Sequence, residues 1–314
     1  MSVIEVEVLP TDISAYRRGN TGVEYVHRFD SGRPGPTVMA LALTHGNELC
    51  GAHAVKLLFE RDVRPRRGAL VLGFVNVAAY LRFDAKNPTA SRFVDEDFNR
   101  LWDAEVLDGP RQSAELGRAR ALRPLVAAAD HLLDIHSMQS RSPALMLSGL
   151  ADKGRTLARK VGVPGYVVAD AGHRAGRRMR DYGDFSDPAS AKTALLVECG
   201  QHWLGPTVGV AIETAFRFLI ATGCILPEDA GAEVAAAPPP QRVIEVSGPV
   251  TIESGEFRFV EKYQGMELIP AAGTVVGYDG ERPVATPYDD CVLIMPSRRL
   301  QRGQTAVRFG RVVG

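Results

Sequence analysis

The sequence predicts an α/β fold, a mixed and mainly parallel sheet flanked by helices, followed by a small all-β barrel or sandwich. Three features carry that expectation. Short, almost continuously apolar runs alternate with longer helical patterns over the first two-thirds of the 314 residues, as expected for strands covered on both faces. A tract of small residues, acids and prolines then interrupts the chain from Leu226 and Pro227 onward. Beyond it, short alternating segments are separated by turns bearing glycine and proline, the pattern of an antiparallel β unit.

Residues 38–43, Val-Met-Ala-Leu-Ala-Leu, read as the first strand, and residues 48–61 as the helix that follows it. Further buried strands are expected at 69–77, 131–135, 144–147, 166–169 and 193–197. Helices fit 112–129, 153–161 and 208–221, where apolar residues recur at helical spacing. The tract ending in Ala-Ala-Ala-Pro-Pro-Pro at 235–240 carries too little side chain to pack as a core and reads as a linker. Segments 243–246, 257–260, 275–278, 292–295 and 306–309 are the strands of the last unit. The expected division is therefore residues 1–226, a linker at 227–241, and a small all-β domain at 242–314.

Lysine plus arginine and aspartate plus glutamate number 37 each, so no global field favours nucleic acid or an anionic membrane. A small-molecule partner is expected instead, and a homo-oligomer is left open. The four cysteines, Cys50, Cys199, Cys224 and Cys291, show no CxxC spacing, which argues against a disulfide framework and a thiolate metal site. The acidic start MSVIEVEVLPTD and the lack of an apolar run of membrane length lead us to expect a cytoplasmic protein.

Three constellations could carry chemistry. Thr44-His45-Gly46-Asn47-Glu48 follows the first long strand, and in a helical turn residues three apart share a face, so His45 and Glu48 could point at one ion while Gly46 relieves crowding. Imidazole and carboxylate suit Zn²⁺, whose catalytic sites take three protein ligands. His136 in Asp134-Ile135-His136-Ser137 is the natural third, because ligands gather at the carboxyl edge of such sheets. The second constellation runs from Ser91 to Trp102, where Phe93, Phe98, Leu101 and Trp102 interleave with Arg92, Asn99 and Arg100, polar groups held over a packed base. Asn99 and Arg100 together offer donors for a carboxylate. In the third, Glu198 emerges from an apolar strand, where desolvation raises its pKa and suits proton transfer.

Together these motifs resemble the succinylglutamate desuccinylase/aspartoacylase family, deacylases related to the zinc carboxypeptidases. The family's HxxE is matched by His45 and Glu48, its third ligand by His136, its Arg-x-x-Asp-x-Asp-x-Asn-Arg segment by Arg92 to Arg100, and its strand-end glutamate by Glu198. The resemblance implies a zinc-carboxypeptidase-like fold and one Zn²⁺ per chain on His45, Glu48 and His136. It further implies Glu198 as general base and then general acid, Arg92 on the developing oxyanion, Asn99 and Arg100 on the substrate's α-carboxylate, and Asp97 as an orienting residue. The implied reaction is hydrolysis of the amide of an N-acyl amino acid, of acetyl or succinyl type. Residues 271–308 resemble the family's C-terminal β domain more weakly, itself similar to a biotinyl/lipoyl-type barrel but with no Met-Lys-Met attachment site.

There is one departure. Aspartoacylase-type members carry a further arginine about ten residues before the strand-end glutamate, and Pro188 stands here, which weakens N-acetylaspartate as substrate. Acidic selectivity must then come from Arg141 or an arginine of the segment from His173 and Arg174 through Arg177 and Arg178 to Arg180, or else be absent. Three competing readings exist. The segment 149–156 approaches a phosphate-binding loop but carries Arg155 in place of the lysine; Cys199 with His202 could form a thiol–imidazole pair; and the chain could be a zinc-bearing or degenerate binding module without turnover.

Overall fold

The computed structural model describes residues 5–172, 175–234, 237–238, 240–298 and 300–313. Before the proline-bearing tract lie β1 (Val26–Asp30), β2 (Thr37–Ala42), β3 (Ala69–Phe74), β4 (His131–Met138), β5 (Leu145–Leu147), β6 (Tyr166–Ala169) and β7 (Thr193–Gln201). After it come β8 (Arg242–Thr251), β9 (Phe257–Phe259), β10 (Leu268–Ile269), β11 (Val275–Asp279), β12 (Arg282–Ala285), β13 (Cys291–Ile294) and β14 (Thr305–Val312). The longer helices are α1 (Leu49–Glu60), α4 (Ala114–Ala128), α5 (Asp152–Val161) and α6 (Pro206–Ala221), with short turns α2 (Val77–Tyr80), α3 (Ala104–Asp108) and α7 (Pro227–Ala230).

Among the described residues one sheet has the order β1-β3-β2-β4-β7-β5-β6-β8-β14-β13-β10, and a smaller one the order β12-β11-β9. Strands β3, β2, β4 and β7 are mutually parallel, β1 runs antiparallel at the edge, and β5 runs antiparallel to β7. The central strands are buried along nearly their whole length because both faces are covered. On β2, Val38, Ala40 and Ala42 pack with Leu49 and Leu58 of α1 and Phe216 and Phe218 of α6, whereas Met39 and Leu41 pack with Leu116 and Leu122 of α4 and with Trp102.

Strand β1, Val-His-Arg-Phe-Asp, escapes a search for apolar runs because only one of its faces is buried. In the tract read as a linker, Ala230 of α7 is buried, Arg66 holds Asp229 through Nε–Oδ2 (3.0 Å) and a second, shorter contact, and Arg61 pairs with Glu233. The last third is antiparallel as expected, and β8 also lies parallel to β6, with Tyr166 opposite Arg242. Those strands thereby continue the main sheet, while Val276 and Phe259 of the smaller sheet share a core with Leu293 and Val307 of the larger. No helix among the described residues is long and apolar enough to cross a membrane.

Candidate active site

The chain leaves β2 through Leu43, whose φ of 63° lies in the left-handed region, a conformation costing about 1–2 kcal/mol for an L-residue. Its carbonyl is held by the Asn76 N–H at 2.8 Å. That bend swings residues 44–48 across the carboxyl edge of the sheet. At Gly46 a Cβ would strike the backbone of Ala79, Tyr80 and Ser91, and its N–H donates to the Arg92 carbonyl at 3.0 Å. The expectation that His45 and Glu48 share a helix face needs correction. Helix α1 starts only at Leu49, with Glu48 at its N-cap, and the two side chains converge through a turn closed by Glu48 N–H on the His45 carbonyl at 3.2 Å.

His136 and Glu198 sit within β4 and β7, which run beyond the predicted ends at 135 and 197. They are direct partners in the parallel register, so both side chains leave the same face. Asp134 shares that face with His136, two residues along the strand.

The carboxylate of Glu48 lies between two imidazoles, with Oε1 2.8 Å from His45 Nδ1 and Oε2 2.7 Å from His136 Nδ1. The three side chains are buried, and their ligand atoms all lie within 4.8 Å of one another, so they could hold a metal ion. The outer ring nitrogens are backed by carboxylates: His45 Nε2 lies 2.9 Å from Asp97 Oδ1, and His136 Nε2 lies 2.8 Å from Asp134 Oδ2. Thr44 Oγ1 donates to Asp134 Oδ1 at 2.7 Å, and Arg92 Nη2 donates to Asp97 Oδ2 at 3.0 Å. This is how ligating histidines are usually oriented, one nitrogen turned inward and the other given to a carboxylate. The donor set of two nitrogens and one oxygen fits a three-ligand Zn²⁺ centre.

Electrostatics follow from the same contacts. Burial works to raise the Glu48 carboxyl, but the charges of His45 and His136 hold it well below the usual range. Burial works to lower His136, and Asp134 and Glu48 outweigh it, holding the imidazole well above its ordinary value. Asp97 is held far down against burial by His45 and Arg92. Glu198 goes the other way: burial pushes its carboxyl up to about 8, and Oε2 has no hydrogen-bond partner among the described residues.

Asp97 caps the turn that presents Asn99 and Arg100, its Oδ1 accepting the Asn99 N–H at 3.0 Å. Asn99 Oδ1 accepts the Met179 N–H at 2.8 Å, which turns Nδ2 toward His136 Nε2 at 3.4 Å. When that ring nitrogen gives its proton to Asp134, the amide protons of Asn99 stay free for an acceptor in the cavity. Arg100 Nη1 donates to the Asn99 carbonyl at 2.7 Å. Phe98, Leu101 and Trp102 form the buried base. All seven predicted site residues, His45, Glu48, Arg92, Asn99, Arg100, His136 and Glu198, line one cavity of about 800 Å³.

Three contributors were not foreseen. Asp134 could have been, because a period of two puts it on the face of His136. Glu115 of α4 reads as an ordinary first-turn acid, yet it is fully buried and accepts the N–H groups of Val94 (2.6 Å), Asp95 (3.0 Å) and Glu96 (3.2 Å), fixing the loop between Arg92 and Asp97. The third is a wall from the C-terminal strands that includes Gln264, Gln304 and Arg308.

The arginines expected to read an acidic side chain are otherwise engaged. Arg177 pairs with Asp103 at 3.1 Å and is not part of the cavity wall. Arg178 lines the cavity but is clamped by both oxygens of Asp170 (2.8 and 3.0 Å) and by Asp181 (2.6 Å). Arg180 is buried on Asp181 and the carbonyls of Ser148 and Ala194. Arg141 and Pro188 are exposed and outside the wall; His173 and Arg174 lie outside the described residues. The competing motifs lose their support. Arg155, at the lysine position of the phosphate-binding pattern, pairs with Asp152 and with Glu245 at 3.5 Å, and His202 Nδ1 contacts Ser137 Oγ at 2.8 Å instead of Cys199.

An α/β fold with a carboxylate-backed His-Glu-His cluster at the sheet edge is one that could hold a metal ion. Residues 34–205 match the family model described as the succinylglutamate desuccinylase/aspartoacylase catalytic domain, and the chain belongs to that family of deacylases. Among solved structures it is similar to a succinylglutamate desuccinylase from Vibrio cholerae, with 19% identity, a TM-score of 0.69, and coverage of 93% of this chain and 86% of that one. A succinylglutamate desuccinylase/aspartoacylase from Rhodobacter sphaeroides gives 18%, 0.66, 93% and 90%. The product-bound ectoine utilization protein EutE from Ruegeria pomeroyi gives 16%, 0.60, 91% and 88%. At these identities the likeness establishes the fold. No curated protein sequence matches the chain.

Proposed function

We propose that the protein is a zinc-dependent deacylase that hydrolyses the amide bond of an N-acyl amino acid, of acetyl or succinyl type. One observation carries the reading: two imidazole nitrogens and the Glu48 carboxylate converge in a cavity that Glu198 also lines, with its Oε2 buried and without a hydrogen-bond partner among the described residues. Zn²⁺ bound by His45, Glu48 and His136 supplies a Lewis acid that polarises the amide carbonyl and eases deprotonation of water.

Glu198 takes a proton from the attacking water as the new C–O bond forms. It returns that proton to the amide nitrogen as the C–N bond breaks, giving a free carboxylic acid and a free amine. A carboxyl raised toward neutrality suits both transfers. Arg92, fixed on Asp97, donates to the oxyanion that develops on the former carbonyl oxygen, a charge largest near the transition state. The free amide protons of Asn99 and the guanidinium of Arg100 hold the α-carboxylate.

The test combines metal analysis with a screen of N-acyl amino acids. About one Zn²⁺ per chain is expected, with turnover of N-acyl amino acids and weaker turnover of their carboxamides. Zinc that survives His136→Ala under limiting metal would refute the ligand set. Ligand binding without turnover in the zinc-loaded protein would leave a binding module.

A further inference from the structure

The cavity wall built by the C-terminal strands carries a cation that has no direct ion-pair partner among the described residues. Arg308 projects from β14 into the same cavity as Arg100 and the metal cluster. Among the described residues its side chain makes no hydrogen bond and no ion pair. Asp170, the acid whose charge acts on Arg308, already has both oxygens on Arg178. Burial and the neighbouring Arg178 disfavour charge on Arg308, and only Asp170 favours it. Arg100 faces the charge of Asp97, but among the described residues its guanidinium hydrogen-bonds only to a backbone carbonyl. A guanidinium carried into a walled cavity without a counter-charge is costly unless the ligand supplies one.

We infer that Arg308 is a specificity-determining residue that binds a second carboxylate of the substrate, the first being held by Asn99 and Arg100. This rests on the deacylase reading and sharpens it: the substrate is doubly anionic, and the group that reads its second charge comes from the C-terminal sheet. The arginine missing at Pro188 is thus replaced in space from a strand more than a hundred residues later. On the same wall Gln264, Gln304 and Thr305 add polar groups beside Met295, Pro296 and a second arginine, Arg298, and among the described residues these C-terminal strands contribute no acid to the lining, which suits a carboxylate and not a cationic tail.

Zinc-loaded wild type, Arg308→Met and Arg308→Lys are compared on N-acetylalanine, N-acetylaspartate and N-succinylalanine. The last two place the second carboxylate on the amine side and on the acyl side. Wild type should prefer one of these over N-acetylalanine in kcat/KM. Arg308→Met should lose about ten- to a hundredfold on that substrate, the weight of a charge-assisted pair, mostly in KM. It should stay within about threefold on N-acetylalanine, and Arg308→Lys should restore part of the loss. In parallel, titration with succinate and with butyrate reads the subsite without turnover, succinate binding more tightly than butyrate only when Arg308 is present. Equal losses on all three substrates, or no preference for the second carboxylate in wild type by either readout, would overturn the inference. If no substrate turns over but succinate still discriminates through Arg308, the deacylase reading falls and the anion subsite stands.

Discussion

Asp134→Asn isolates what the carboxylates behind the histidines do. Asp134 is fully buried, with one oxygen accepting from Thr44 Oγ1 at 2.7 Å and the other 2.8 Å from His136 Nε2. Asparagine has the same shape, so packing is conserved and only a charge and one acceptor are lost. If the amide oxygen stays on Thr44, the NH₂ faces Nε2, which must then become an acceptor. The ring proton moves to Nδ1, the nitrogen turned toward Glu48, where it blocks coordination. If the amide turns over, its oxygen serves His136 and the tautomer survives, but the negative charge behind the ring is gone. Loss of such outer partners typically weakens metal binding about 10- to 100-fold, roughly 1.4–2.7 kcal/mol; the first orientation lies at the upper end and the second at the lower. Titrating metal-free protein with Zn²⁺ against a chromophoric chelator measures the change, thermal unfolding checks the fold, and activity in excess Zn²⁺ should largely recover. A zinc Kd within twofold of wild type would refute the orienting role.

Three further outcomes follow from the same geometry. Glu198→Gln keeps its zinc, measured by metal analysis, while turnover falls by about 10²-fold or more, the usual scale of lost acid–base catalysis. Glu115→Gln turns one oxygen that accepts the Asp95 and Glu96 N–H groups into a donor, and should cost about 2–3 kcal/mol in denaturant unfolding, with kcat falling more than zinc affinity as Arg92 loses its frame. His202 is held down to about 3 by burial, below its unfolded value near 6.5, so its contribution is intact above about pH 6.5 and is lost as pH falls toward 3. The stability advantage of wild type over His202→Gln, measured on metal-free protein, should therefore shrink by about 2 kcal/mol between pH 7.5 and pH 5.

The fold was legible where burial is two-sided. β2, β3, β4 and β7 announce themselves as apolar runs because helices cover both faces, whereas β1, with one buried face, and β10 and β12, short and largely exposed, carry no such mark. The candidate site was legible for a related reason: its residues lie in or just after apolar strands and on one dense segment, so local order in the chain exposes them. His45 and Glu48 were paired on helical spacing that the chain does not use, since the left-handed turn at Leu43 brings them together before α1 begins. Glu115 and Arg308 were out of reach. One looks like any acid in a helix's first turn, the other like the polar residue of an alternating strand, and only the folded chain brings them beside Arg92 and Arg100.

The charge distribution connects metal, proton carrier and substrate. Glu48, Asp97 and Asp134 gather three carboxylates around the two imidazoles, and Arg92 supplies one fixed positive charge in contact with Glu48 and Asp97. A divalent cation on His45, Glu48 and His136 brings this floor to neutrality with both rings uncharged, the state in which an imidazole can ligate. The same cation would also pull the Glu198 carboxyl down from about 8, moving it from a resting acid toward a base able to take a proton from water. Above the floor, Arg178 and Asp170 cancel each other, which leaves Arg100 and Arg308 to be met by the substrate. On the proposed reading, metal loading and substrate charge are separate requirements of one cavity. Removing the metal should raise the pKa of Glu198 without abolishing anion binding at the outer wall, and removing Arg308 should spare zinc affinity while relaxing which acyl amino acid is accepted.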